Sequence, residues 1–181
     1  MKVDDPGTPE RALALLDPIA EARRQWVAHG WQEAAAGMAA VTTIVRVHQI
    51  LVSRVEEALA PEGLTFARFE ILRLLGFTRN GRLPMGKIGQ RLQVHPASVT
   101  SAVKRLERDA MIRRETDEID NRVVLAVLLQ RGRDTLRSAT ERVNTVFSSI
   151  GLDDDELDGL TRRLGPIRRM AGDVVVDPQR V

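Results

Sequence analysis

Residues 96–105 read PASVTSAVKR, in which small and hydroxyl side chains (Ala97, Ser98, Thr100, Ser101) precede two cations, Lys104 and Arg105. On one helical face, small residues permit close approach to a surface, hydroxyls exchange hydrogen bonds with it, and the longer cations reach acceptors or phosphates further along. A second group follows in DEIDNR, where Asp120 stands two residues before Arg122 and Arg113 and Arg114 lie just upstream. A carboxylate at that spacing could hold a guanidinium in one pose, suited to a narrow, electronegative groove. The plainer alternative is a solvated loop whose acids Asp117, Glu118 and Asp120 neutralise its bases.

Charge favours a polyanionic partner. The chain has 181 residues, 27 Lys plus Arg, 25 Asp plus Glu and a net charge of +2. Residues 64–133 carry 14 of the bases and 7 of the acids, a local net of +7, whereas both flanking segments are acidic. Such concentration attracts nucleic acid, although a basic solvated face has the same composition.

Other chemistries find little support. There is no cysteine, which excludes disulfides, thiolate metal sites and thiol redox sensing. His29, His48 and His95 lack paired ligand spacing, and Asp153–Glu156 reads as a helix-starting acid cluster rather than a calcium loop. Neither a nucleophile elbow nor a glycine-rich phosphate loop occurs. The expectation is a protein that is not an enzyme and carries no cofactor or metal. MKVDDPGTPE lacks a signal peptide's basic and apolar blocks, and no stretch is expected to reach the length of a membrane span. A cytoplasmic protein without a membrane partner is anticipated.

The elements that would position these residues follow from periodicity. Residues 1–10 are expected to be disordered, with one or two short helices following, broken near Asp17-Pro18 and His29-Gly30. From Met38 to Leu59 the positions Val41, Ile44, Val45, His48, Leu51, Val52, Val55 and Leu59 recur at helical spacing. Pro61-Glu62-Gly63 breaks this helix, and LTFARFEILRLLGF predicts a core helix ending near Thr78–Gly81. A strand stub at Leu83–Met85, a short helix at Gly86–Leu92 and a turn at Gln93–His95 come next. A helix then opens at Pro96, buries Val99, Val103 and Leu106, and ends near Asp109. Gly89 would let the two helices cross closely. Ile112–Thr116 and Arg122–Leu128 read as a β-hairpin, and terminal helices are expected over Gln130–Ile150 and Asp153–Val174.

This order makes a winged helix-turn-helix, whose second helix would enter a major groove and whose hairpin would reach flanking backbone or minor groove. LTFARFEILRLL, LPMGKIGQRLQVHPASVTSAVKRLE and IRRETDEIDNR together resemble the MarR family of bacterial transcription regulators, over roughly Met38–Met170. The family's wing carries a D-x-R motif, matched by Asp120-Asn121-Arg122, and its terminal helices intertwine two subunits. The resemblance implies a mainly α fold with a small β-hairpin, combining a winged helix at 64–133 with a helical dimerisation region at 38–63 and 134–181. Residues 1–37 form an added N-terminal extension. Three departures stand out: Ala110 replaces the glycine at the recognition-helix exit, Leu129 replaces the threonine of L-T-x-x-G, and the N-terminus is longer.

On this reading Pro96, Ala97, Ser98, Thr100, Ser101, Lys104, Arg105, Arg114, Asp120 and Arg122 contact double-stranded DNA. The implied function is a homodimeric repressor binding a pseudo-palindromic operator and released by a small molecule. Urate-responsive relatives use an N-terminal tryptophan and an acidic residue on the second helix, positions comparable to Trp26 and Glu70, but their recognition-helix arginine aligns with Ala102. Trp26, Trp31, His48, Phe69, Glu70 and Arg73 could wall a cleft for an aromatic or phenolic acid. A winged-helix protein-docking module and an effector-independent DNA-binding protein are the alternatives.

Overall fold

The computed structural model describes residues 17–93 and 95–177. The expected disorder at 1–10, the start of the first helical segment and Val94 in the turn lie outside these residues. The chain divides into two compact units, up to Glu57 and from Ala58 onward.

In the first unit, α1 spans Pro18–Ala28 and α2 begins at Gln32 and runs to Leu59. Asp17 caps α1 by accepting the Ile19 N–H at 2.9 Å, and Pro18 occupies a first-turn position that needs no donor. Gly30, at φ +86°, turns the chain toward α2. The long helix starts six residues before its expected start at Met38, so the 37/38 boundary falls inside it. The segment Gln32–Glu62 is also long and apolar enough, by length and composition, to cross a membrane, with a window of mean hydropathy 1.4. This corrects the expectation that no stretch reaches that length. The alanines of the earlier start extend the apolar run that the expected helix had cut short.

The second unit contains the winged helix. Its core helix α3, Phe66–Gly76, is capped by the Thr65 hydroxyl and buries Phe69, Ile71, Leu72 and Leu75. Strand β1 (Arg82–Pro84), α4 (Met85–Leu92) and α5 (Pro96–Arg108) follow, then β2 (Ile112–Thr116) and β3 (Val124–Leu128). The expected hairpin is thus the larger part of a three-stranded antiparallel sheet ordered β1-β3-β2, with Leu83 opposite Ala126 and Arg114 also opposite Ala126. Strand β3 starts two residues later than expected because the Val123 N–H is used in the turn, donating to the Asp120 carbonyl at 2.9 Å.

Helices α6 (Gln130–Phe147) and α7 (Asp154–Met170) complete the described chain. No side chain caps α6, as expected from the missing threonine. Gly132 is retained for space: a Cβ there would lie 2.2 Å from the Met111 carbonyl oxygen. Helix α7 begins with a reciprocal capping box between Asp153 and Glu156. It ends four residues before the expected Val174 because Gly172, at φ +91°, reverses the chain.

Candidate nucleic-acid interface

The second helix of the helix-turn-helix is held by one buried edge. Val99, Val103 and Leu106 are 3%, 1% and 0% exposed and pack inward, while Ala97, Ser98, Thr100, Ser101, Lys104, Arg105 and Arg108 lie outward. Pro96 takes the first helical position. The cap ahead of it is His95, which sequence reasoning had placed only in the turn: Nδ1 accepts the Ala97 N–H at 3.2 Å. Lys104 and Arg105 make no ion pair among the described residues.

At the helix exit Ala110 adopts φ 53°, the left-handed conformation its Cβ disfavours. Met111 N–H donates to the Leu106 carbonyl at 2.9 Å and Ala110 N–H to the Glu107 carbonyl at 3.0 Å, a Schellman end that enforces the turn despite the alanine. Asp109 reaches Arg68 on α3 at 3.5 Å. That arginine is 12% exposed and, with Thr65, Ala97, Ser98, Ser101, Ala102 and Arg105, lines a shallow cleft of about 450 Å³. Arg68 was missed in the sequence because the pattern of α3 reads only as core.

The wing is a loop closed by short-range hydrogen bonds. Asp117 accepts the Ile119 and Asp120 N–H groups at 2.8 and 3.2 Å, fixing its tip. Asp120 receives Arg122 as a fork: Nε donates to Oδ1 at 3.1 Å, Nη2 to Oδ2 at 3.2 Å, and the Arg122 N–H to Oδ1 at 3.0 Å. These side-chain and backbone bonds hold the Asp120 carboxyl below its ordinary pKa. Arg122 remains 90% exposed, so it is oriented without being covered. Arg114 is placed differently. Its Nε donates to Glu107 Oε2 at 2.9 Å, lowering the pKa of Glu107 and bracing the wing against α5. Arg113 pairs with Glu115.

The candidate effector residues fall into two sets. In the first unit the Trp26 and Trp31 rings meet edge-on at 5.3 Å, His29 stacks on Trp31 at 5.8 Å, and His48 is exposed on α2. In the second, Phe69 is buried in the core and stacked on Phe66 at 6.5 Å. Glu70 is half-buried, and burial raises its pKa. Arg73 donates to the Thr140 hydroxyl at 3.3 Å and lies 4.3 Å over the Phe77 ring, while its Nε is buried without a hydrogen-bond partner.

A model of the MarR family matches residues 64–124 of the sequence. Sco5413, a MarR family transcriptional regulator of Streptomyces coelicolor, is 39% identical, and the match covers 78% of this chain and 99% of that one with a TM-score of 0.69. This chain belongs to the MarR family of transcriptional regulators. AbsC, another MarR family regulator of S. coelicolor, is 28% identical with a TM-score of 0.66 over 74% of this chain and 93% of that one. The curated regulator SarZ of Staphylococcus epidermidis is 23% identical over 114 residues, 63% of this chain and 76% of SarZ. The outward face of α5 and Arg122 both lie within the residues that the family model matches.

Proposed function

We propose that this MarR-family regulator acts in the cytoplasm as a homodimeric repressor, reading a pseudo-palindromic operator with one α5 helix per half-site. The observation that carries the reading is the combination of the exposed cations Lys104 and Arg105, which make no ion pair among the described residues, on α5 with an oriented, exposed Arg122 on the wing. Pro96, Ala97, Ser98, Thr100 and Ser101 allow close approach, and Lys104 and Arg105 reach base edges or phosphates. Arg122 enters a narrow minor groove with Asp120 holding its pose, and Arg114 keeps the wing in register with α5. A dimer is supported by unsatisfied apolar surface: Val41, Ile44 and Val45 on α2 are 62%, 42% and 50% exposed, and Ile167 on α7 is 58% exposed. Gel shifts of genomic fragments against excess competitor test the reading. A retained, competitor-resistant subset is expected, whereas uniform binding would favour a protein-docking winged helix.

The same regulator is released by a small aromatic or phenolic acid. The supporting observation is Arg73, whose buried, unpartnered Nε and Phe77 stacking offer a charge and a ring surface to such a ligand, one helical turn after the half-buried Glu70. Thermal shifts with aromatic acids, followed by operator release, test this. Stabilisation that is lost in Arg73→Ala is expected, whereas hits that leave operator affinity unchanged would favour effector-independent binding.

A further inference from the structure

The turn ahead of the recognition helix holds a residue whose side chain the fold alone does not require. Gln93 closes α4 in the left-handed region, at φ 55° and ψ 35°, where glycine is the favoured residue. Its amide has a partner 80 positions later: Nε2 donates to Asp173 Oδ1 at 3.0 Å. Asp173 Oδ2 accepts from Arg168 Nε on α7, also at 3.0 Å. The backbone brings Asp173 there. Beyond α7, Gly172 turns left-handed, and the Gly172 and Asp173 N–H groups return to the Arg169 and Arg168 carbonyls at 3.0 and 3.1 Å. The two ends of the recognition helix are thus held by different parts of the unit. Asp109–Arg68 and Glu107–Arg114 tie its C-terminal end within the winged helix, whereas the turn before it is tied to the last helix.

We propose that Asp173 is a positioning residue for DNA reading, acting through Gln93 to couple α7 to the turn of the helix-turn-helix. In the homodimer proposed above, on which this inference rests, the link sets the separation at which the two α5 helices meet their half-sites. Fixing a turn residue against the terminal helix limits rotation of the reading head, and half-site spacing is the quantity that such rotation changes. A glycine at position 93 would relieve the backbone conformation but would offer no side-chain amide to Asp173.

The test measures affinity for the operator selected by the full-length protein and for versions with one base pair added to or removed from the spacer. Wild type is expected to lose about 10-fold or more on each changed spacer. Gln93→Gly and Asp173→Ala should bind the parent operator about 3- to 10-fold more weakly, the scale of one exposed hydrogen bond, and should discriminate poorly among spacers. Asp173→Asn, whose amide oxygen still accepts from Gln93, should restore most discrimination. Gln93→Gly should melt no lower than wild type, which separates positioning from stability. Unchanged spacer preference in both Gln93→Gly and Asp173→Ala would overturn the inference while leaving the DNA-reading account intact. Wild type without any preferred operator would overturn both.

Discussion

The winged helix and the long helix α2 carry equally regular apolar patterns but resolve them in opposite ways. In α3 and α5 the periodic positions Leu72, Leu75, Val103 and Leu106 are between 0% and 1% exposed. In α2 the periodic positions Val41, Ile44 and Val45 stand between 42% and 62% exposed, although Val55 and Leu59 further along are buried. Periodicity therefore reports that a face will be covered without saying which chain covers it. The reading head completes its own core, whereas α2 leaves exposed apolar positions that the proposed homodimer would cover.

The sharpest way to break this contrast is to truncate one apolar residue in each region. Leu72→Ala should destabilise the winged helix by about 2–5 kcal/mol at any protein concentration. Val45→Ala should cost little in dilute protein, and Val45→Glu should shift the chain to monomers and weaken operator binding while leaving the reading head folded. Concentration-dependent thermal melts separate the cases. If Val45→Glu unfolds the dilute chain as Leu72→Ala does, the α2 face is internal core and the contrast fails.

A smaller effect sharpens the division within the reading head. Arg105→Ala should cost about 1–3 kcal/mol and relax preference at one base pair per half-site. Arg122→Ala should weaken binding more evenly across sequences, reduce the salt dependence and lessen preference for A·T-rich flanks. Equal losses on all sequences for Arg105→Ala would demote it to a phosphate contact.

Much of this was legible in the sequence because the decisive signals are local. Pro96 and the Val99-Val103-Leu106 stripe place α5 to within a residue of its end, and Asp120-x-Arg122 reads directly as a clasp because the partners are two residues apart. Features that depend on distant chain were not legible. Strand β1 joins the hairpin through pairing across more than forty residues, Arg68 meets Asp109 from another helix, and Gln93 finds Asp173 at a separation of 80. Arg114, expected as a DNA contact, also pairs with Glu107, a partner seven positions back on another element. The start of α2 was misplaced because Ala34–Ala36 and Gly37 carry no periodic contrast.

The smallest effects concern local strain and protonation. Ala110→Gly should stabilise the reading head by about 1 kcal/mol, since φ 53° costs glycine nothing, with operator preference unchanged. A lower melting temperature would show that the methyl group is packed rather than strained. The Asp120 carboxyl has a lowered folded pKa, so the clasp's contribution is present above the ordinary unfolded value and is lost only as pH falls through the lower folded one. Arg122-dependent preference for A·T-rich flanks should therefore persist from about pH 8 down to about pH 5, whereas its disappearance near neutrality would contradict the clasp.

The central claim is that two reading heads act as one symmetric unit. Selection from random duplex DNA, with the mass of the selected complex measured by sedimentation, tests it most directly. The account predicts two chains on a pseudo-palindrome whose half-site centres lie about 10 base pairs apart. One chain on an asymmetric site would contradict it.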